Sequence, residues 1–187
     1  MAAALLSVIA RAQTPVFTTG TPPELELARS IGLDELSSRT RQPGVELRVT
    51  RVSVDQISMA HVRVQQLYRG IPVFGGEAVA HLRSDGTLSS ITDNLVPDIR
   101  VDVTPMVSAA DAIERARTDA RVPAASPDAP TVSLWILRRD RTDHLVHRIE
   151  LEPLVAAAQP RRPVVFVDAH TGDIVFQYDN LQTAPLP

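Results

Sequence analysis

Between Val45 and Val54 apolar and polar positions alternate, with Val45, Leu47 and Val49 facing one way until the phase is lost near Val52. A period of two is the mark of a half-buried strand. The alternation resumes at once, with Val62, Val64, Gln66 and Tyr68 on one face and His61, Arg63, Gln65 and Leu67 on the other. Gly70, Pro72, Gly75 and Gly76 punctuate the pattern. A second run then sets Ala78, Ala80 and Leu82 against Val79, His81 and Arg83. Asp85-Gly86 supplies a turn before another short strand, so this region is predicted to be a β-meander. Upstream, Glu24 to Thr40 reads as two short helical turns broken by Gly32 and ended by Gln42-Pro43-Gly44. The Thr- and Pro-rich segment before it, residues 13–23, reads as extended.

The pattern changes after Thr104. Ser108 is placed as an N-cap, and Ala109, Ala112, Ile113 and Ala116 have the spacing of a helix lying on a sheet, ending near Val122-Pro123. A Pro/Ala loop over 124–130 precedes three candidate strands, Thr131 to Arg138, His144 to Glu152 and Pro163 to Val167. Phe166 to Val175 closes as a hairpin, in which Asp168 bonds backbone amides across the turn and Gly172 takes a positive φ. A helix followed by antiparallel strands is an α+β layer arrangement. The chain thus divides into two small modules, each an antiparallel sheet with a packed helix.

Two resemblances attach to these residues. His61, Arg63, Gln65, Gln66, Tyr68, Gly70, Pro72, Val73 and Gly75, followed by the Asp-Gly turn, resemble the FTP domain, the fungalysin and thermolysin propeptide module that precedes secreted zinc metalloproteases. Val64 stands where that family often carries an aromatic. Val165, Asp168, Ala169, Thr171, Gly172 and Val175 resemble the PepSY domain that follows FTP in those precursors. On this reading residues 24–101 are the FTP-like domain and 104–180 the PepSY-like domain. Residues 181–187 are then the linker toward a catalytic domain that is itself absent.

Composition narrows the function classes. The 187 residues are 44% hydrophobic but only 4% aromatic, so the core is built mainly from Val, Leu, Ile and Ala. All 19 basic residues are Arg, and the net charge of -3 argues against nonspecific nucleic-acid binding, which needs a basic face. Arg138, Arg139 and Arg141 form the densest basic run and are read as a solvated strand end or turn. The absence of Cys excludes disulfides, thiolate catalysis and cysteine metal sites. Ala2 to Ile9 is apolar and Ala10-Arg11-Ala12 has the small-x-small form of a signal-peptidase site. Residues 1–12 are therefore either the end of a signal peptide or a helical or disordered start. Nothing approaches the roughly 20 apolar residues of a membrane span.

Candidate chemistry is sparse. No His is followed by Glu, so the HExxH of a thermolysin-like zinc site is missing. His144 and His147 lie three apart in a strand pattern and point to opposite faces. His61 and His81 fall on adjacent predicted strands and can meet across the meander in a structural hydrogen-bonding role. His170 is placed at a hairpin tip. No GxSxG, P-loop or Rossmann glycine pattern occurs.

The resemblance implies a non-enzymatic proregion, secreted to the extracellular space or periplasm, that helps a thermolysin-like metalloprotease catalytic domain to fold and holds it inactive, in cis or in trans. It implies no cofactor in this chain; zinc and calcium would belong to the catalytic domain. His61, Arg63, Gln65, Gln66, Tyr68, Gly70, Pro72, Gly75, Asp168, Thr171 and Gly172 are the candidate motif or partner-binding residues. Asn180, Leu181, Gln182, Thr183 and Ala184 are the candidate processing tail. A free-standing inhibitor and an orphan envelope domain are the alternatives.

Overall fold

The computed structural model describes residues 15–122, 129–152 and 161–180. The expected leader over 1–12, most of the 124–130 loop and the 181–187 linker lie outside the described residues. The elements follow in the order α1 (Pro22–Ser37), β1 (Val45–Val54), β2 (Ala60–Tyr68), β3 (Ile71–Leu82), β4 (Leu88–Asp93), α2 (Ala109–Ala120), β5 (Thr131–Arg139), β6 (Thr142–Glu150), β7 (Pro163–Asp168) and β8 (Ile174–Asp179). Among the described residues the fold is α+β, with two helices and eight mostly antiparallel strands. Hydrogen-bonded neighbours run β1-β2-β3-β5-β6-β7-β8, with β4 on β3. The β3–β5 contact is parallel, Val73 opposite Ile136. No helix among the described residues is long and apolar enough to cross a membrane.

The chain forms two compact units that are not contiguous in sequence. Unit 1 comprises Met1–Arg39, Val49–Val64 and Ala78–Asp93, and unit 2 comprises Thr40–Arg48, Gln65–Glu77 and Asn94–Pro187.

In unit 1, α1 corrects two expectations. It is one continuous helix through Gly32, not two turns, and it begins inside the segment expected to be extended. Thr21 is the N-cap, Pro22 occupies the first helical position, where its missing N–H costs nothing, and Glu24 stands three residues after the cap. The Glu24 carboxylate accepts from the Thr18 hydroxyl at 2.7 Å and from the backbone N–H of Gly20 and Thr21 at 2.7 and 2.9 Å. Ala28, Gly32 and Leu36 form the buried stripe. Gly32 is there for space: a Cβ at this position would lie 2.6 Å from the Val62 side chain. The Asp-Gly turn forms as read, with Gly86 at φ +84° and Arg83 N–H donating to Thr87 O at 2.8 Å.

Strand β3 carries a third correction. Gly75 and Gly76 do not interrupt it; the strand runs unbroken for 12 residues. Gly75, at φ +74°, accommodates a local distortion inside it.

In unit 2, α2 packs on one face of β6 and β7. Ala112, Ala116 and Ala120 meet Ile149, Val165 and Val167, and the small helix residues allow close approach to the branched strand residues. Ala109, expected on this stripe, is exposed. Ser108 caps the helix by accepting from Asp111 N–H at 3.1 Å. The opposite face of the same strands carries Val146, Val164 and Phe166, packed with Phe74, Trp135, Phe176 and Tyr178. β5 and β6 turn through Asp140 and Arg141, both at positive φ (49° and 66°), the two-residue hairpin geometry that matches strand twist. The arginines here are not simply solvated. Arg138 Nε and Nη2 grip Asp143 at 2.6 and 2.9 Å, and the Arg139 guanidinium lies 5.1 Å from the Phe176 ring centre.

Candidate functional site

Within unit 1 the motif residues His61 and Arg63 project from β2 on one face, as alternation requires. His61 is engaged at both nitrogens: Nε2 lies 3.0 Å from Asp55 Oδ2 and Nδ1 lies 2.8 Å from His81 Nδ1. The rings meet edge to face, centres 5.0 Å apart. His81 Nε2 lies 3.2 Å from the Thr92 hydroxyl. The two histidines therefore meet as the alternation foresaw, but Asp55 and Thr92 were missed because neither falls in a recognisable motif. Asp55 also accepts from the N–H groups of Ile57 and Met59 at 3.0 and 2.9 Å, which shapes the turn between β1 and β2. Its carboxyl is held below the usual aspartate range, first by the hydrogen bond with His61 and then by these backbone donors. Arg63 is exposed.

Within unit 2 the remaining motif residues are chiefly turned inward. Gln65 Nε2 reaches Val73 O at 2.7 Å and Gly76 O at 3.0 Å, bracketing the distorted stretch of β3. Gln66, 1% exposed, donates from Nε2 to Val96 O and accepts from Val96 N–H, both at 2.8 Å. A Cβ on Gly76 would lie 2.8 Å from Gln66 Oε1, so the bare backbone there leaves room for that amide. Tyr68 and Val73 are buried with Ile99 and Ile136, and Ile71 packs against them. Arg69 and Gly70 make the tight turn at φ 49° and 81°, and Pro72 follows in β3. The paired glutamines thus act as backbone surrogates.

The other candidate residues lie in the β7–β8 turn. Asp168 Oδ1 accepts from the N–H groups of His170 and Thr171 at 2.8 and 3.0 Å, and Oδ2 lies 2.8 Å from His144 Nδ1. Burial pushes the Asp168 carboxyl up, but these hydrogen bonds outweigh it and hold the group below its ordinary value. Thr171 Oγ1 donates to Asp173 at 2.8 Å, and Gly172 takes φ +82° as required. Ala169 O accepts from Met106 and Val107 N–H, both at 2.8 Å, so the turn also fixes the approach to α2. His147 Nε2 bonds Val107 O at 2.8 Å, which leaves His144 and His147 in separate structural roles. Beside the turn, Met106, Asp111, Glu114, Arg115 and Asp173 line an open groove of about 740 Å³. Of the processing tail only Asn180 is described, its N–H donating to Arg162 O at 2.8 Å; Leu181, Gln182, Thr183 and Ala184 lie outside the described residues.

No group of three or more His, Cys, Asp or Glu able to hold a metal occurs among the described residues. Among the described residues, the motif side chains chiefly make hydrogen-bonded structure. Ile57, at the turn after β1, is 74% exposed, and Met106, before α2, is 81% exposed.

Comparison with known proteins gives this geometry a context. Residues 45–95 match the family described as the Fungalysin/Thermolysin Propeptide Motif. Bacillolysin of Brevibacillus brevis is 29% identical over 129 residues, covering 65% of this chain and 24% of its own length. The hemagglutinin/proteinase of Vibrio cholerae serotype O1 is 30% identical over 131 residues, 66% of this chain and 21% of its own length. Thermolysin of Alicyclobacillus acidocaldarius is 28% identical over 144 residues, 70% of this chain and 25% of its own length. The chain spans about a quarter of the length of the curated relatives it matches.

Proposed function

We propose that this chain is the proregion of a secreted thermolysin-like zinc metalloprotease, which helps the catalytic domain to fold and holds it inactive until removed. The match of residues 45–95 to a propeptide motif carries the reading. The relatives support it, being proteases that share only about a quarter of their length with this chain. The helix and strands of 104–180, with Asp168, Thr171 and Gly172 forming the β7–β8 turn, support reading that stretch as the PepSY-like half of such a proregion.

Physically, the chain acts as a binding module. A stable complex needs a contact on the order of 800 Å² from each partner. Exposed Ile57 and Met106 are apolar side chains suited to such contacts, and Arg63 adds an exposed charge within the motif. Assistance over a high folding barrier suits an extracellular protease, whose persistence depends on slow unfolding. Zinc and calcium belong, on this reading, to the catalytic domain, and this chain supplies no catalytic group. Asn180 to Ala184 would lead toward the processing junction.

The test is titration of the purified chain into an active thermolysin-like protease while peptide hydrolysis is followed. Concentration-dependent inhibition that survives a control for substrate competition is the expected result, and it would establish action in trans as well. A folded chain that neither inhibits nor raises the refolding yield of the protease overturns the proposal.

A further inference from the structure

Asp55, His61, His81 and Thr92 form one hydrogen-bonded line in unit 1, with separations of 3.0, 2.8 and 3.2 Å. They come from the turn after β1 and from β2, β3 and β4 in turn. The ends of the line dictate where the protons sit. An ionised Asp55 can only accept, so neutral His61 carries its proton on Nε2 and offers a lone pair at Nδ1. His81 must then donate from Nδ1, leaving its Nε2 to accept from the Thr92 hydroxyl. Every polar atom in the line is satisfied in this one arrangement.

One added proton also fits. It can sit on His81 Nε2 with the Thr92 hydroxyl rotated to accept, or His61 can become the imidazolium and donate from Nδ1 to His81. A second added proton has no place. Both rings would then carry N–H at Nδ1, setting two donors and two positive charges against each other across 2.8 Å.

We propose that His61 and His81 form a latch with room for a single added proton, and that uptake of a second opens it and loosens unit 1 in mild acid. Among the described residues, charged groups acting on the pair include Asp55 from the turn and Arg63, two residues along β2; β4 contributes the neutral Thr92. Burial first, then the charges of His61 and Arg63, hold His81 below the ordinary histidine range. A histidine whose folded pKa is depressed leaves stability intact above its unfolded value and withdraws it as the pH falls from there. The latch therefore acts on the acid side of the ordinary histidine pKa. The inference concerns the chain's own stability, so its outcome is independent of any protease partner.

The test uses the full chain. Imidazole nitrogen NMR follows both rings from about pH 8 to 4.5, with thermal unfolding by far-UV circular dichroism at each pH. The same unfolding series is run on His81→Gln, whose amide can bond His61 without titrating. Two steps separated by about one pH unit or more are expected for the pair. The wild-type melting temperature should fall with the second step by about 2 to 4 °C more than that of the variant. Independent titration of the two rings at one midpoint overturns the proposal, as does a parallel loss of melting temperature in wild type and variant. If His81→Gln fails to fold, the two-step wild-type titration decides alone.

Discussion

The side-chain amide of Gln66 and the backbone of Val96 exchange two hydrogen bonds of 2.8 Å inside unit 2, with Gln66 only 1% exposed. Gln66→Leu leaves both backbone groups of Val96 without this partner. Each buried group stranded in this way costs about 1–3 kcal/mol, so the substitution should destabilise the protein by about 2–4 kcal/mol. Urea unfolding checks it, and an unchanged midpoint would show that water replaces the amide.

Gly32→Ala separates local propensity from packing. Alanine favours a helix over glycine by about 1 kcal/mol, yet its Cβ would lie 2.6 Å from Val62. Overpacking of about 1–3 kcal/mol should prevail and lower stability. Val62→Ala opens room for the new methyl, so the double variant should be more stable than the two single losses sum to. Additive losses would show that the helix simply moves aside.

Gly172→Val should destabilise unit 2, because a β-branched residue strongly disfavours the observed φ of +82°. The nearest obstacle to a Cβ is the guanidinium carbon of Arg115 at 2.8 Å, the far end of a flexible side chain. Backbone strain rather than collision should therefore dominate, and adding Arg115→Ala should recover only a minor part of the loss. Full recovery in the melting temperature would reverse that assignment.

The Glu24 carboxyl is pulled from the ordinary 4.5 to about 2, first by the Thr18 hydroxyl and then by backbone N–H groups led by Thr21. The group is depressed in the folded state, so its contribution is complete above the unfolded value and is lost as the pH falls from about 4.5 toward 2. Carboxyl NMR should place the Glu24 midpoint near 2, and Glu24→Gln should remove this part of the acid dependence. A midpoint at the ordinary value would mean that the capping hydrogen bonds do not form in solution.

Arg63→Ala tests the surface reading. The side chain is exposed yet engaged within the protein, so urea unfolding of the variant separates any loss of stability from a loss of contact with the protease. If β2 faces the protease, the half-inhibitory concentration should rise about fivefold or more, the effect of losing a contact worth ~1 kcal/mol. Equal inhibition by both forms would remove Arg63 from the contact surface.

Strands announced themselves in the sequence through alternation, and turns through Asp85-Gly86 and Gly172, because both signals are local. What escaped was fixed at a distance. Gly32 has the composition of a helix breaker, and only the Val62 side chain packed against it makes glycine the residue that keeps α1 whole. Gly75 and Gly76 look like an end to a strand, and only the amides of Gln65 and Gln66 explain how β3 continues past them. Of the candidate residues, His61 pointed to His81 by strand adjacency. Asp55 and Thr92 carried no pattern of their own, and Asp168 revealed its turn but not its pairing with His144.

Trp135 is the sole tryptophan, and the two tyrosines are Tyr68 and Tyr178; all three belong to unit 2. Trp135 lies edge-on to Phe74 with ring centres 6.2 Å apart, and its Nε1 donates to Ser133 Oγ at 2.9 Å. Intrinsic fluorescence thus reports the packing around β5 and is dark to unit 1, where His61 and His81 sit. Optical unfolding curves read at tryptophan would follow one half of the molecule only. A difference between them and backbone-detected curves would measure directly how far the two units melt apart.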